Sequence, residues 1–258
     1  MNLDLGGKTV LITGGSKGIG LACADAFRAE GAAVVICSRE SSNLERAAAS
    51  RPGLHTVAAD LTDAQAAGRM VSEVEDKVGA IDILVNSAGA ARRSAPADLT
   101  PEFWRAAMDA KYFTYINLID PLVKRMAGRG KGVIVNVIGV GGKVAAVAHL
   151  AGGAANAALM LATAGLGAAY AEKGVRVVGV SPGLTETGRV AEGLAADAKL
   201  MNVSIEEARR KNIARLPLGR MASPEEIANT VLFVSSDRGG YITGTTISVD
   251  GGVNPVVL

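Results

Sequence analysis

Three glycines, Gly14, Gly18 and Gly20, stand in the stretch VLITGGSKGIGLACADAF, between a β-branched apolar run and an amphipathic pattern. Glycine there allows a tight turn and lets backbone N–H groups approach a phosphate at a helix N-terminus. Gly14, Ser16, Lys17, Gly18, Ile19 and Gly20 are thus candidates to bind the pyrophosphate of a dinucleotide. The next β-branched run ends at Ser38, followed by Arg39 and not by an acid. An acid at that point would bind a ribose 2′-hydroxyl and repel a 2′-phosphate. A hydroxyl, a guanidinium and the Lys17 ammonium suit the phosphate, so NADP(H) is the expected cofactor. For proton transfer the candidates are few. The chain has two histidines, His55 and His149, and an imidazole is the natural donor near neutral pH. Lys111 shares a helix face with Tyr115 at i+4 but not with Tyr112 at i+1.

The elements that must position these residues alternate regularly. KTVLIT (8–13), AVVICS (33–38), HTVAAD (55–60), IDILVN (81–86), GVIVNV (132–137), VRVVGV (175–180) and TTISVD (245–250) read as strands. Their near-continuous apolar character predicts strands covered on both faces. Helical patterns run at about 18–30, 62–78, 101–127, 151–173 and 223–235. The alternation predicts α/β architecture: one Rossmann-like, doubly wound parallel sheet with helices on both faces. Length agrees, since 258 residues suit one such domain. Ser223, Pro224 and Glu226 predict a helix start with a capping box. The segment 184–217 is polar in places and follows an SPG turn, so a mobile substrate lid is expected there.

Composition excludes several classes. Net charge is +2 with no run of like charges, which gives nucleic-acid or membrane-surface binding no electrostatic support. Cys23 and Cys37 make no disulfide framework or metal-binding pair, and no metal site is expected. No leader pattern opens the chain, and glycine or charge interrupts every long apolar stretch. A cytoplasmic protein is expected, which makes the Asn202–Val203–Ser204 sequon a chance occurrence.

The glycine spacing, TGxxxGxG, resembles that of the short-chain dehydrogenase/reductase family, and the resemblance continues along nearly the whole chain. Asp60, followed by Leu61, matches the family's adenine-contacting acid. Asn86, Ser87, Ala88 and Gly89 match its Asn-Asn-Ala-Gly motif, with Ser87 in place of the second Asn. Pro182 and Gly183, with Thr185 and Thr187 beyond, match its Pro-Gly turn and the threonine near the nicotinamide amide. PLGRMASPEEIA and YITGTTISVDGG match its C-terminal third.

The family's proton chemistry uses Asn, Ser, Tyr and Lys, and here the pattern breaks. Alignment on flanking residues puts Lys111 at the Asn position and Gly139 at the Ser position. It puts Gly152 at the Tyr position and Asn156 at the Lys position. Against the family's pattern Asn and Lys are exchanged, which would return one ammonium and one amide to the same pocket. His149 falls three residues before the Tyr position, on the loop beside the reacting carbon. Lys111, His149, Asn156 and Tyr115 are therefore the candidate catalytic residues, with Glu186 and Arg189 as lid contacts to substrate. Gly152 and Gly153 suggest a widened pocket, or alternatively close helix packing.

The expected activity is NADP(H)-dependent oxidation or reduction of a carbonyl/alcohol or imine pair with a non-standard proton donor. Two alternatives stay open: an NADP(H)-binding sensor or partner subunit without catalysis, and a lyase or isomerase on the same fold. The Ala- and Gly-rich helix at 151–173 would suit the family's subunit interface, so a homotetramer or homodimer is expected.

Overall fold

Seven short strands form one parallel sheet in the computed structural model, which describes residues 2–89 and 92–256. They are β1 (Thr9–Thr13), β2 (Ala33–Ser38), β3 (His55–Ala58), β4 (Ile83–Asn86), β5 (Gly132–Val137), β6 (Val175–Pro182) and β7 (Thr246–Val249). Their order is β3-β2-β1-β4-β5-β6-β7. The order reverses between β1 and β4, where Leu11 pairs with Leu84. In such a sheet the crevice beyond the strand C-termini at the reversal is where ligands bind.

Side-chain alternation along the strands sorts the core into two layers. Val10 and Ile12 pack with Phe27 of α1 (Gly18–Ala29), Leu44 of α2 (Ser41–Ala48) and Val231 of α9 (Pro224–Ser235). Leu11 faces the other way, with Val71 of α3 (Ala64–Lys77), Leu118 of α5 (Thr114–Arg129) and Leu159 of α6 (Leu150–Tyr170). The Ser223–Glu226 capping box opens α9 with both of its reciprocal bonds made.

Three elements differ from the sequence expectation. The α2 helix has no counterpart among the expected helices: it is short and mostly polar, and Leu44 and Ala47 seat it on the core. The long pattern at 101–127 is broken: α4 (Pro101–Met108) passes through a π turn at Asp109–Phe113 before α5 begins. The segment 184–217 holds α7 (Gly188–Met201) and α8 (Ile205–Ala214). Leu194, Leu216 and Met221 form a small core of their own there. Val147–Lys173, which contains α6, is long and apolar enough to cross a membrane by length and composition. In the fold it packs against β6 and the Val140–Gly142 turn, as a core helix of the sheet does.

Candidate functional site

The first half of the site lies where β1 and β4 end. Thr13 closes β1, and its hydroxyl accepts from the backbone N–H groups of Ser87 (3.0 Å) and Ala88 (3.1 Å). This draws the loop after β4 onto the glycine turn. Gly14 has φ +64°, and a Cβ on it would lie 2.9 Å from the Ala88 backbone, so no side chain fits. A Cβ on Gly20 would strike the Gly14 carbonyl. Lys17 caps α1 without a side-chain hydrogen bond, and no acid occupies the first turn, so the helix end keeps its partial positive charge. Lys17 is exposed, while Ser16 and Ile19 are half-buried beside it. Gly18 (φ +52°) faces Thr187, whose Cγ2 is 3.2 Å from where a Cβ would stand. Thr187 therefore sits over the turn.

The flanks of this crevice follow. Ser38 is half-buried at the end of β2, with Arg39 exposed beyond it. The Asp60 carboxylate accepts from the Thr62 N–H (3.0 Å) and hydroxyl (2.8 Å). These bonds, with Arg39 nearby, hold its pKa below the usual carboxylate value. Leu61 is buried, and its carbonyl accepts from Asn117. Asn86 is buried and donates to Asn136 (3.0 Å), which donates to Thr163 of α6 (3.0 Å). This polar chain ties β4, β5 and α6 together, and no sequence signal pointed to it. Pro182 ends β6, and Gly183 lies so close to Asp250 that a Cβ would stand 2.9 Å from its Cα. Thr185 is buried and donates to the Gly183 carbonyl (3.2 Å).

The second half gathers beyond β5. Lys111 lies in the π turn and is half-buried with its ammonium directed inward. Nζ donates to the Tyr115 hydroxyl (2.7 Å) and to the Val137 carbonyl (3.1 Å), and lies 4.4 Å from the Tyr115 ring centroid. Burial, with a smaller push from the Arg189 charge, lowers its pKa to about 7. This is not a solvated helix lysine. Tyr115 is corrected: it is fully buried, its hydroxyl donates to Val137 (2.8 Å), and burial pushes its phenol pKa up. Its hydroxyl is thus engaged with Lys111 and Val137 inside the core.

Asn156 is buried and its Oδ1 has no partner among the described residues. Its Nδ2 lies 3.1 Å from where a Cβ on Gly139 would stand, so the amide crowds the space a serine at 139 would take. His149 is half-buried at the N-cap of α6, and its buried Nδ1 has no partner among the described residues. Its Cδ2 and the Asn156 Nδ2 both lie within 4 Å of the Cβ position of Gly141, at 3.7 and 3.8 Å. Burial lowers the His149 pKa, and Arg93, Arg189 and Lys111 push it further down. For the glycines of α6, the packing alternative holds at Gly153. Gly152 and Gly153 are both buried, and a Cβ on Gly153 would stand 2.8 Å from the Gly141 carbonyl. At Gly153, then, the missing side chain serves close packing and opens no pocket.

Of the lid candidates, Glu186 pairs with Arg209 of α8 (2.9 Å) on the exposed side, whereas Arg189 donates to the Gly89 carbonyl (3.1 Å) above the π turn. Arg93, which reaches α7 and pairs with Asp197, escaped sequence reasoning. Its one cue was the Arg92–Arg93 doublet shortly after the NSAG motif. Among the described residues, no three His, Cys, Asp or Glu side chains converge to hold a metal.

A parallel sheet of this order, with a glycine turn and a bare helix end at its reversal point, defines the doubly wound dinucleotide-binding class. Comparison with known proteins narrows it. A family model described as enoyl-(acyl carrier protein) reductase matches residues 14–254. The chain is 35% identical to an acetoacetyl-CoA reductase of Rhizobium meliloti, with 95% of this chain and 98% of that one covered. It is 33% identical to a 3-oxoacyl-(acyl-carrier-protein) reductase of Thermotoga maritima, covering 97% and 99%. Among solved structures, an actinorhodin polyketide ketoreductase with NADPH superposes with a TM-score of 0.91 at 28% identity, covering 96% and 97%. The chain belongs to the short-chain dehydrogenase/reductase family, whose members are oxidoreductases that use nicotinamide cofactors.

Proposed function

We propose that this chain is an NADP(H)-dependent oxidoreductase of a carbonyl/alcohol or imine pair, in which Lys111 and His149 do the proton work usually left to a phenol. The observation that carries this reading is the inward Lys111 ammonium, anchored at the end of β5 with a pKa of about 7. A group poised near the working pH is what general acid–base chemistry requires.

The glycine turn suits the pyrophosphate: Gly14 and Gly18 leave the backbone open, and α1 offers an uncapped positive end. Lys17, Ser38 and Arg39 would meet a 2′-phosphate, and Asp60, Asn86, Ala88, Gly89, Pro182, Gly183, Thr185 and Thr187 would complete the crevice. When bound, the cofactor gives or takes the hydride at the reacting carbon. Lys111 holds the proton at Nζ: two of its three N–H bonds go to Tyr115 and Val137, and the third remains for a substrate oxygen or a bridging water. His149 would relay that proton through its unpartnered Nδ1, and the Asn156 carboxamide would orient the oxygen. The relatives' names support a carbonyl as the reducible group. We also propose a cytoplasmic homo-oligomer, built on the outward face of α6, where Leu161 is 77% exposed.

The test is turnover beside binding. NADPH and NADH are titrated by fluorescence, then NADPH oxidation is followed against ketones, aldehydes and imines. NADPH should bind more tightly than NADH, and Lys17→Met with Arg39→Met should erase the preference. Lys111→Met and His149→Phe should each lower turnover by about 10²–10⁴-fold, with cofactor affinity little changed. Wild-type rates in both variants would refute the proton assignment. Tight NADPH binding with no oxidation of any substrate would favour the sensor reading instead.

A further inference from the structure

Between Ile138, just past β5, and Ala148, shortly before α6, runs the segment that borders His149 and Asn156. From Gly139 to Val147 it reads GVGGKVAAV, in which Lys143 is the one polar side chain. Three glycines among its first four residues make a backbone that is costly to hold in one shape. The turn at Val140–Gly142 nevertheless lies closely on α6. A Cβ on Gly142 would stand 2.9 Å from the Ala157 nitrogen, and one on Gly141 would stand 3.7 Å from the Gly153 Cα. Among the described residues no hydrogen bond joins this turn to α6. It is tied elsewhere. Before it, the Ile138 N–H donates to the Val180 carbonyl (2.8 Å), and after it the Ala148 carbonyl accepts from the Ser94 N–H (3.1 Å). Val144 to Val147 are exposed. Between these ties the Lys143 side chain reaches β7, two strands away from β5 in the sheet. Its Nζ donates to the Thr246 carbonyl (3.1 Å) and to the Ser248 hydroxyl (3.0 Å).

We propose that Lys143 is a positioning residue: anchored on Thr246 and Ser248, it holds the glycine turn against α6 and so keeps His149 and Asn156 in their working geometry. This deepens the oxidoreductase reading and rests on it for the effect on turnover. Two links carry the restraint. The Lys143 N–H donates to the Val140 carbonyl (2.9 Å), which joins the anchored residue to the turn. Gly141 then meets both site residues, since its Cβ position is 3.7 Å from His149 Cδ2 and 3.8 Å from Asn156 Nδ2. Neither the His149 Nδ1 nor the Asn156 Oδ1 has a partner among the described residues, so packing against the turn orients these side chains. A turn lifted off α6 would give both of them room to rotate. A misplacement of about 1 Å caused from outside the reacting groups can cost about 10²-fold in rate.

The experiment separates position from chemistry. In a His55→Asn background His149 is the one imidazole of the chain. Its rate of carbethoxylation by diethyl pyrocarbonate then reads its accessibility without any turnover. Lys143→Met, which has a similar reach but no donor, should raise that rate several-fold. The amides of Gly142, Lys143 and Val144 should also exchange hydrogen faster, with those of β1 unchanged. Lys143→Arg, which restores donors, should bring both readings back toward wild type, and Ser248→Ala should shift them less than Lys143→Met. Where a substrate is turned over, Lys143→Met should lower kcat by about 10–10²-fold, with NADPH affinity little changed. Added to His149→Phe, it should cost much less than it does alone, whereas a general loss of stability would slow both backgrounds equally. Unchanged carbethoxylation and exchange in Lys143→Met would overturn the inference, and lost turnover beside them would leave the redox reading standing. Faster carbethoxylation and exchange in a protein that oxidises no NADPH would keep the hold of Lys143 on the turn and refute the redox reading.

Discussion

Lys111 can give a proton only while it carries one, and burial brings its pKa down from 10.5 to about 7. Reduction should therefore slow as pH rises through about 7, because the acid form is lost there. Lys111→Arg, which cannot deprotonate in this range, should be slow and lack that limb in a kcat/KM profile. Stability provides an independent check. Between pH 7 and the unfolded lysine value the unfolded chain binds more protons, so this residue makes stability rise with pH across that window. Below it, the charged form is penalised in full. Urea midpoints at pH 6.5 and 9 should show a rise in wild type that is smaller in Lys111→Met; equal rises would remove the case for a buried lysine. The position of Lys111 was legible from its flanking sequence, but its direction was not. Direction comes from the π turn and the Tyr115 and Val137 contacts, which no local pattern announces.

Elements were the more legible scale. Every expected strand forms; the inner strands are β-branched runs buried on both faces, which leaves little choice of structure, whereas the edge strands β3 and β7 are not covered as the sequence predicted. Element ends moved by a residue or more, and α2 was missed because it is only eight residues long and mostly polar. The glycines of α6 show what sequence alone withholds, since identical letters have unlike surroundings. Gly153 meets the Gly141 carbonyl at 2.8 Å, whereas a Cβ on Gly165 would meet nothing within 4 Å. Gly165→Ala should raise stability by up to about 1 kcal/mol through helix propensity. Gly153→Ala, in the same helix, should lower it by about 1–3 kcal/mol through overpacking. Chemical denaturation of both variants reads the opposite signs, and two gains would mean that the turn at Gly141 yields freely.

For the whole molecule, α6 connects packing to assembly. One face lies on the sheet, and the other leaves Leu161 exposed amid Ala154, Ala157, Ala164 and Ala168. An apolar face of this kind is a candidate interface between copies. Leu161→Glu should shift the mass measured by light scattering toward the monomer, without loss of helical signal; an unchanged mass would place the interface elsewhere. Fold class and order of motifs came directly from the sequence, because they depend on periodicity and glycine placement. The charged surroundings of His149 did not, because Arg93 and Arg189 are about a hundred positions apart and only the closed fold brings both near it.

The fit of Asn156 against Gly139 couples the two positions sterically. A serine at 139 alone would press on the amide. A side chain at 139 and the carboxamide at 156 thus compete for one small volume, and a larger residue at the first position asks the second to give way by a few tenths of an ångström.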